Sequence, residues 1–166
     1  MAVKIKDERK KFDALQKMLK TTKKNKPHVA VGIHQAEGSQ PKEEDSPFTL
    51  ADVASANEFG TQNESGTEII PSRSFLRSTY DENQGRFFAL LRRYRNELLT
   101  DKKTMFQVLS FVGQFAQKQV VLKIVAGGTP FTPNAPRTEQ AKGSTSPLID
   151  TGQMRQSIRY EVRNAK

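Results

Sequence analysis

The sequence predicts an α+β domain: a small antiparallel sheet packed against two long helices, with an extra N-terminal helix. Three observations predict it. Two stretches repeat apolar residues at helical spacing, one ending near Leu99 and one spanning about 102–126. Two short stretches, residues 28–34 and 157–163, alternate like strands. A Lys-rich segment, residues 1–26, precedes all of them, so 1–26 reads as a separate helix and 27–166 as a single domain.

The elements follow in order. Residues 4–24 read as an exposed helix, because Phe12, Leu15 and Leu19 fall at i, i+3, i+7 and Lys covers the rest. Pro27 ends it, since the residue before a proline avoids the helical region. His28-Val29-Ala30-Val31-Gly32-Ile33-His34 is a strand, and residues 35–48, with an acidic cluster, form a long loop. Thr49-Leu50-Ala51-Asp52 has capping-box spacing and opens a short helix to about Phe59, stopped by Gly60. Gln62 to Gly66 is a polar loop, and Thr67 to Ile70 a short strand.

Ser72 or Ser74 caps the first long helix, whose face is Phe87, Leu91, Tyr94 and Leu98. Thr100 or Asp101 caps the second, with Met105, Leu109, Val112, Ala116 and Val120 on its stripe and Gly127-Gly128 as its stop. Residues 129–147 hold four prolines and read as an extended loop. Asp150 and Thr151 cap a short turn. In the last strand Ile158, Tyr160 and Val162 face one way, and Arg159, Glu161 and Arg163 the other. The two strands are expected to pair.

Charge is unevenly spread over the 166 residues. Residues 1–26 carry ten Lys/Arg and three Asp/Glu, residues 27–68 one and eight, and residues 69–166 sixteen and seven. An acidic middle between basic parts suits contact between copies, and the basic parts suit phosphates. There is no cysteine, which excludes disulfides and thiolate sites. No apolar run reaches the ~20 residues of a membrane span, and residues 1–6 lack the apolar core of a secretory signal.

No pattern points to catalysis. His28 and His34 lie about 20 Å apart along a strand, too far for one metal ion. Glu43-Glu44-Asp45 lacks the spacing of a calcium loop. Gly127-Gly128 follows a helix, which makes it a cap and not a phosphate cradle. The Arg-rich stretch with Arg86, Arg92, Arg93 and Arg95 lacks the aromatic interleaving of a single-strand platform.

Two segments carry the functional signal. One is Asn57-Glu58-Phe59-Gly60-Thr61 followed by Ile70-Pro71-Ser72-Arg73-Ser74-Phe75-Leu76-Arg77. The other is Pro147-Leu148-Ile149-Asp150-Thr151-Gly152-Gln153-Met154-Arg155-Gln156-Ser157-Ile158. Thr132-Pro133 and Lys142-Gly143 lie between them. In order and content these segments resemble the neck and tail-completion proteins of tailed phages, the minor tail protein Z-like, phage virion morphogenesis group. The likeness runs from about residue 28 to the end. One departure is Ser74, where that group often has proline.

The resemblance implies a virion structural protein, not an enzyme, that needs no cofactor or metal. It would be assembled in the host cytoplasm and reside in the virion tail or neck, with no membrane partner. It implies a ring of identical copies, hexameric by the same likeness, that completes the tail and supports head–tail joining. Partners would be tail-tube, tail-terminator or head-connector proteins, with non-specific contact to phage DNA. The subunit-interface candidates are Glu58, Phe59, Arg73, Phe75, Arg77, Asp150, Thr151 and Arg155. Alternatives are a basic nucleic-acid-binding accessory protein and a head-closure or connector protein.

Overall fold

The computed structural model describes residues 9–42, 46–127 and 131–165. In chain order the elements are α1 (Arg9–Asn25), β1 (His28–Ile33), α2 (Gln35–Gly38), α3 (Leu50–Phe59), β2 (Thr61–Gln62), β3 (Glu68–Ile70), α4 (Leu76–Arg93), α5 (Arg95–Leu99), α6 (Met105–Ala126), α7 (Pro136–Lys142), α8 (Gln153–Gln156) and β4 (Ile158–Arg163). The expected helix over residues 4–8, the acidic cluster 43–45 and the Gly128 stop lie outside the described residues.

The organising pair is β1 with β4, antiparallel, with Val31 opposite Tyr160 and Ile33 opposite Ile158. This joins the two alternating stretches as the pattern predicts. α6 lies across the sheet, and α4 lies along α6. Gly113 sets the closeness of helix to sheet: a Cβ there would fall 2.3 Å from the Tyr160 ring. Gln117 donates to the Ile158 carbonyl at 3.0 Å and locks the same contact. Between the helices Phe87 meets Phe115 edge to face at 5.8 Å, and Lys123 pairs with Glu82. The buried core joins Leu50, Phe75, Val120, Ile124, Phe131, Leu148, Met154 and Ile158.

Several expectations are corrected. α4 stops at Arg93 instead of running to Leu99. Tyr94 leaves helical geometry at φ −92, ψ 6 and stacks on Phe111 at 5.1 Å, and α5 restarts after it. α6 is capped by Thr104, not by Thr100 or Asp101, because Thr104 and Gln107 form a reciprocal capping box. Asp101 instead turns the chain at φ 57. Residues 129–147 are not all loop, since Pro136 opens α7 and Gly143 closes it in the left-handed region. Residues 35–48 include α2. Gln62 belongs to β2, which pairs with β3 in a hairpin turned by Asn63, whose side-chain oxygen accepts from Ser65 and Thr67 N–H. The Thr49–Asp52 capping box stands as read.

Two glycines in the long helices separate packing from propensity. Gly113→Ala is expected to lower stability by about 1–3 kcal/mol, the cost of overpacking against Tyr160. Gly85→Ala in α4, where a Cβ meets nothing within 4 Å, is expected to raise it by about 0.5–1 kcal/mol. Denaturant melts of the two variants beside the parent check both signs.

Candidate functional site

The two signal segments converge. One open cleft of about 1050 Å³ is lined from the first segment by Asn57, Ile70, Pro71 and Arg73, and from the second by Leu148, Asp150, Gly152 and Met154. Phe75 of the first segment and Leu148, Met154 and Ile158 of the second also share the buried core. The segment between them, through Pro133, Asn134 and α7, forms the third wall.

Local geometry explains the turn in the first segment. Gly60 sits at φ 75, and a Cβ there would come within 2.9 Å of the Ile70 carbonyl, so β3 can pass directly over it. The following stretch brings Ser74, Leu76 and Arg77 to Glu58. Glu58 is 4% exposed. Its carboxylate accepts from the Leu76 N–H at 2.8 Å, the Arg77 N–H at 3.0 Å and the Ser74 hydroxyl at 2.7 Å. The Arg77 Nε also reaches it at 3.3 Å. The cap of α4 is therefore a carboxylate from the previous helix, correcting the expectation of Ser72 or Ser74. Negative charge at a helix N-terminus is favourable. Ser72 instead donates to the Glu58 backbone carbonyl. Burial pushes the Glu58 carboxyl up, but the hydrogen bonds from Leu76, Ser74 and Arg77 outweigh it and hold it below its ordinary value.

Arg73 is a strut, 6% exposed. Its N–H donates to the Asn57 carbonyl at 2.6 Å. Its Nε donates to the Thr132 carbonyl at 2.8 Å, and its second terminal nitrogen to Pro133 at 3.1 Å. One guanidinium thus ties two loop carbonyls some sixty residues away to the end of α3. Burial lowers its pKa, against the raising effect of Glu68, and it stays charged at neutral pH. Lys142 is placed similarly, with Nζ donating to the Ser146 and Pro147 carbonyls at 3.1 and 3.3 Å. Burial lowers its pKa; nearby Asp150 raises it, and Arg73 and Lys42 lower it.

Asp150 does not cap α8. Gly152 occupies the cap position at φ 81, and Asp150 instead pairs with Lys42 at 3.4 Å, half in solvent. The Thr151 hydroxyl accepts from the Gln153 N–H at 3.4 Å. Of the eight interface candidates, Glu58, Arg73 and Phe75 are buried within the chain, which withdraws them from any contact surface. Phe59, Arg77, Asp150 and Thr151 are exposed, and Arg155 is half-buried. Phe59 lies under the Arg77 guanidinium at 5.1 Å; exposed Ile69 lines the cleft, and Phe59 and Arg77 do not. Lys42, the partner of Asp150, is a residue that the sequence analysis did not single out. Lys142 and Thr132-Pro133 were visible as part of the segment pattern, but their roles as donor and acceptors depend on the folded path.

The cleft combines apolar walls with the cations Lys42, Arg73, Arg137 and Lys142 and the carboxylates Asp52 and Asp150, a lining suited to recognition. Among the described residues no group of three or more His, Asp or Glu is placed to hold a metal ion. Nor is any described helix long and apolar enough to cross a membrane. No known protein family, curated protein or solved structure matches the chain.

The strut and the surface pair should separate in a melt. Arg73→Ala strands two loop carbonyls and is expected to cost about 1.5–3 kcal/mol, the range for hydrogen bonds to a charged group. Asp150→Ala removes a half-exposed ion pair and is expected to cost less than about 1 kcal/mol. That order reverses what the sequence alone implies, and equilibrium unfolding of both variants reads it.

Glu58 gives a pH signature. Its folded pKa lies below the ordinary value of 4.5. Its contribution is therefore complete above pH 4.5 and is lost as pH falls through the lower folded value. Glu58→Gln is expected to be less stable at pH 7 and to show a shallower loss of stability below pH 4.5. Unfolding midpoints measured from pH 7 down to pH 3 would show the two curves converging; parallel curves would count against the assignment.

Proposed function

We propose that the protein is a virion structural protein of a phage tail or neck. It assembles as a ring of identical copies that completes the tail and supports head–tail joining. The observation that carries this reading is the meeting of the two signal segments. Far apart in sequence, they line one cleft and share one core, while Glu58 ties the first segment to itself and Arg73 ties it to the loop before α7. Such ties make a rigid frame, and rigid frames suit repeated contacts between identical subunits. The exposed candidates Phe59, Arg77, Asp150, Thr151 and partly Arg155 are the contact set. Partners beyond other copies are tail-tube, tail-terminator or head-connector proteins.

A second reading, a basic nucleic-acid-binding accessory protein, draws on Arg86, Arg92, Arg93 and Arg95, all exposed along α4 and α5. It takes second place because the two ordered segments play no part in it. Contact of this basic row with phage DNA is compatible with a ring.

Mass photometry of the purified chain, alone and with isolated tails, tests the first reading. The expected result is a ring-sized species, or a monomer that joins tail particles, with association weakened as salt screens exposed charges over about 10 Å at 0.1 M. A chain that stays monomeric, ignores tails and shifts duplex DNA at low salt would replace the reading with the second.

A further inference from the structure

α1 carries an apolar stripe that the fold uses only in part. It rests on α5. Leu15 and Met18 are half-buried, yet Phe12 and Leu19 remain 57% and 56% exposed. Elsewhere an open apolar groove of about 570 Å³ runs between α4, α6 and β1. Val31, Phe87, Leu91 and Leu109 line it, and so do Tyr80 and Phe88, 56% and 55% exposed. None of the described α1 residues lines it.

We infer that α1 of one copy docks into this groove on a second copy. The inference rests on the self-association proposed above and adds a joint beside the contact set named there, which it shares only at Arg77. Dimensions agree: α1, with 17 residues, is about 25 Å long, and the α4 wall from Leu76 to Leu91 is about 22 Å at the same rise. Chemistry agrees as well. Phe12 and Leu19 stand two turns apart on one side of α1, the spacing by which amphipathic helices anchor in apolar grooves. A helix laid along the groove buries on the order of 1,000 Å² in total, the lower end of specific interfaces.

Charge favours a second copy too. Lys17, Lys20, Lys23 and Lys24 are exposed on α1. The groove presents Asp81; Glu82 beside it on α4 is paired with Lys123, and the one lining arginine, Arg77, is engaged by Glu58. α1 need not leave α5 to dock, because its exposed side is the one that enters. Helix and groove are different surfaces of one chain, so the contact is head to tail. Repeated head-to-tail contacts close into a ring when the rotation allows.

Two variants test this by complementation. Phe12→Glu with Leu19→Glu disables the helix and spares the groove. Phe88→Glu disables the groove and spares the helix. All three side chains are more than half exposed, and melts confirm that each variant folds. In sedimentation velocity each alone is expected to self-associate at least about tenfold more weakly than the parent, a loss of about 1.4 kcal/mol. Mixed one to one, they are expected to form a heterodimer and nothing larger, because a single intact helix meets a single intact groove. If the mixture behaves as its separate components do, the inference is overturned. If parent and both variants form the same rings, the ring reading survives and this joint does not. If the parent never associates with itself or with tails, both fail.

Discussion

The carboxylate of Glu58 is the interaction on which the rest of the structure depends. It sits in the last turn of α3 and caps the first turn of α4, so it fixes the angle between them. A carboxylate at the C-terminal end of its own helix faces an unfavourable dipole, and burial adds to that cost. Both are offset because it accepts several hydrogen bonds at once, two of them from backbone donors that would otherwise have no partner. Once α4 starts at that point, Phe75 is driven to full burial, and α4 reaches α6 with Phe87 against Phe115.

Arg73 completes the frame from the opposite direction. It lies between Glu58 and the α4 start in sequence, but its side-chain hydrogen bonds run to Thr132 and Pro133. The Pro-rich segment after α6 is thereby held against α3. Its Phe131 is buried in the same core as Phe75 and Leu148. One buried anion and one buried cation thus do not pair with each other. Each satisfies backbone groups that a loop-rich region leaves open.

The legible parts of this fold were those written in neighbouring residues. The Thr49–Asp52 box, the alternation of β1 and β4 and the apolar stripe of α6 are all local patterns, and each appears where the pattern places it. Other local signals were present but outweighed. Thr104–Gln107 is as good a capping box as Thr49–Asp52 and stands directly before Met105, yet Thr100 and Asp101 with the polar Lys102-Lys103 pair offer a cap and first turn of their own. Pro136 and Gly143 bracket α7, yet four prolines in one stretch read as loop. What could not be read is contact across the fold. The cap on Leu76 comes from 18 residues back, and the acceptors for Arg73 lie 59 and 60 residues ahead. A serine beside the helix start is the natural local cap, and only the folded path shows that Ser74 serves the carboxylate instead. The candidate cleft was legible in the same partial way: its two segments stood out, but which of their residues face solvent did not.

This division between buried and exposed residues within one motif has a mechanical meaning. Arg77 bridges the two sets. Its backbone N–H and Nε bind the buried carboxylate, while its guanidinium lies over exposed Phe59. A long arginine side chain normally loses substantial rotamer freedom when a partner immobilises it. Here much of that freedom is already gone before any neighbour arrives, because Glu58 and the Phe59 ring fix the side chain from two sides. A surface patch prepared in this way loses less entropy on contact, so a small area can support a specific joint. The buried half of the motif therefore serves the exposed half: Glu58 and Arg73 hold the frame still, and Phe59 and Arg77 present a surface whose shape is set in advance.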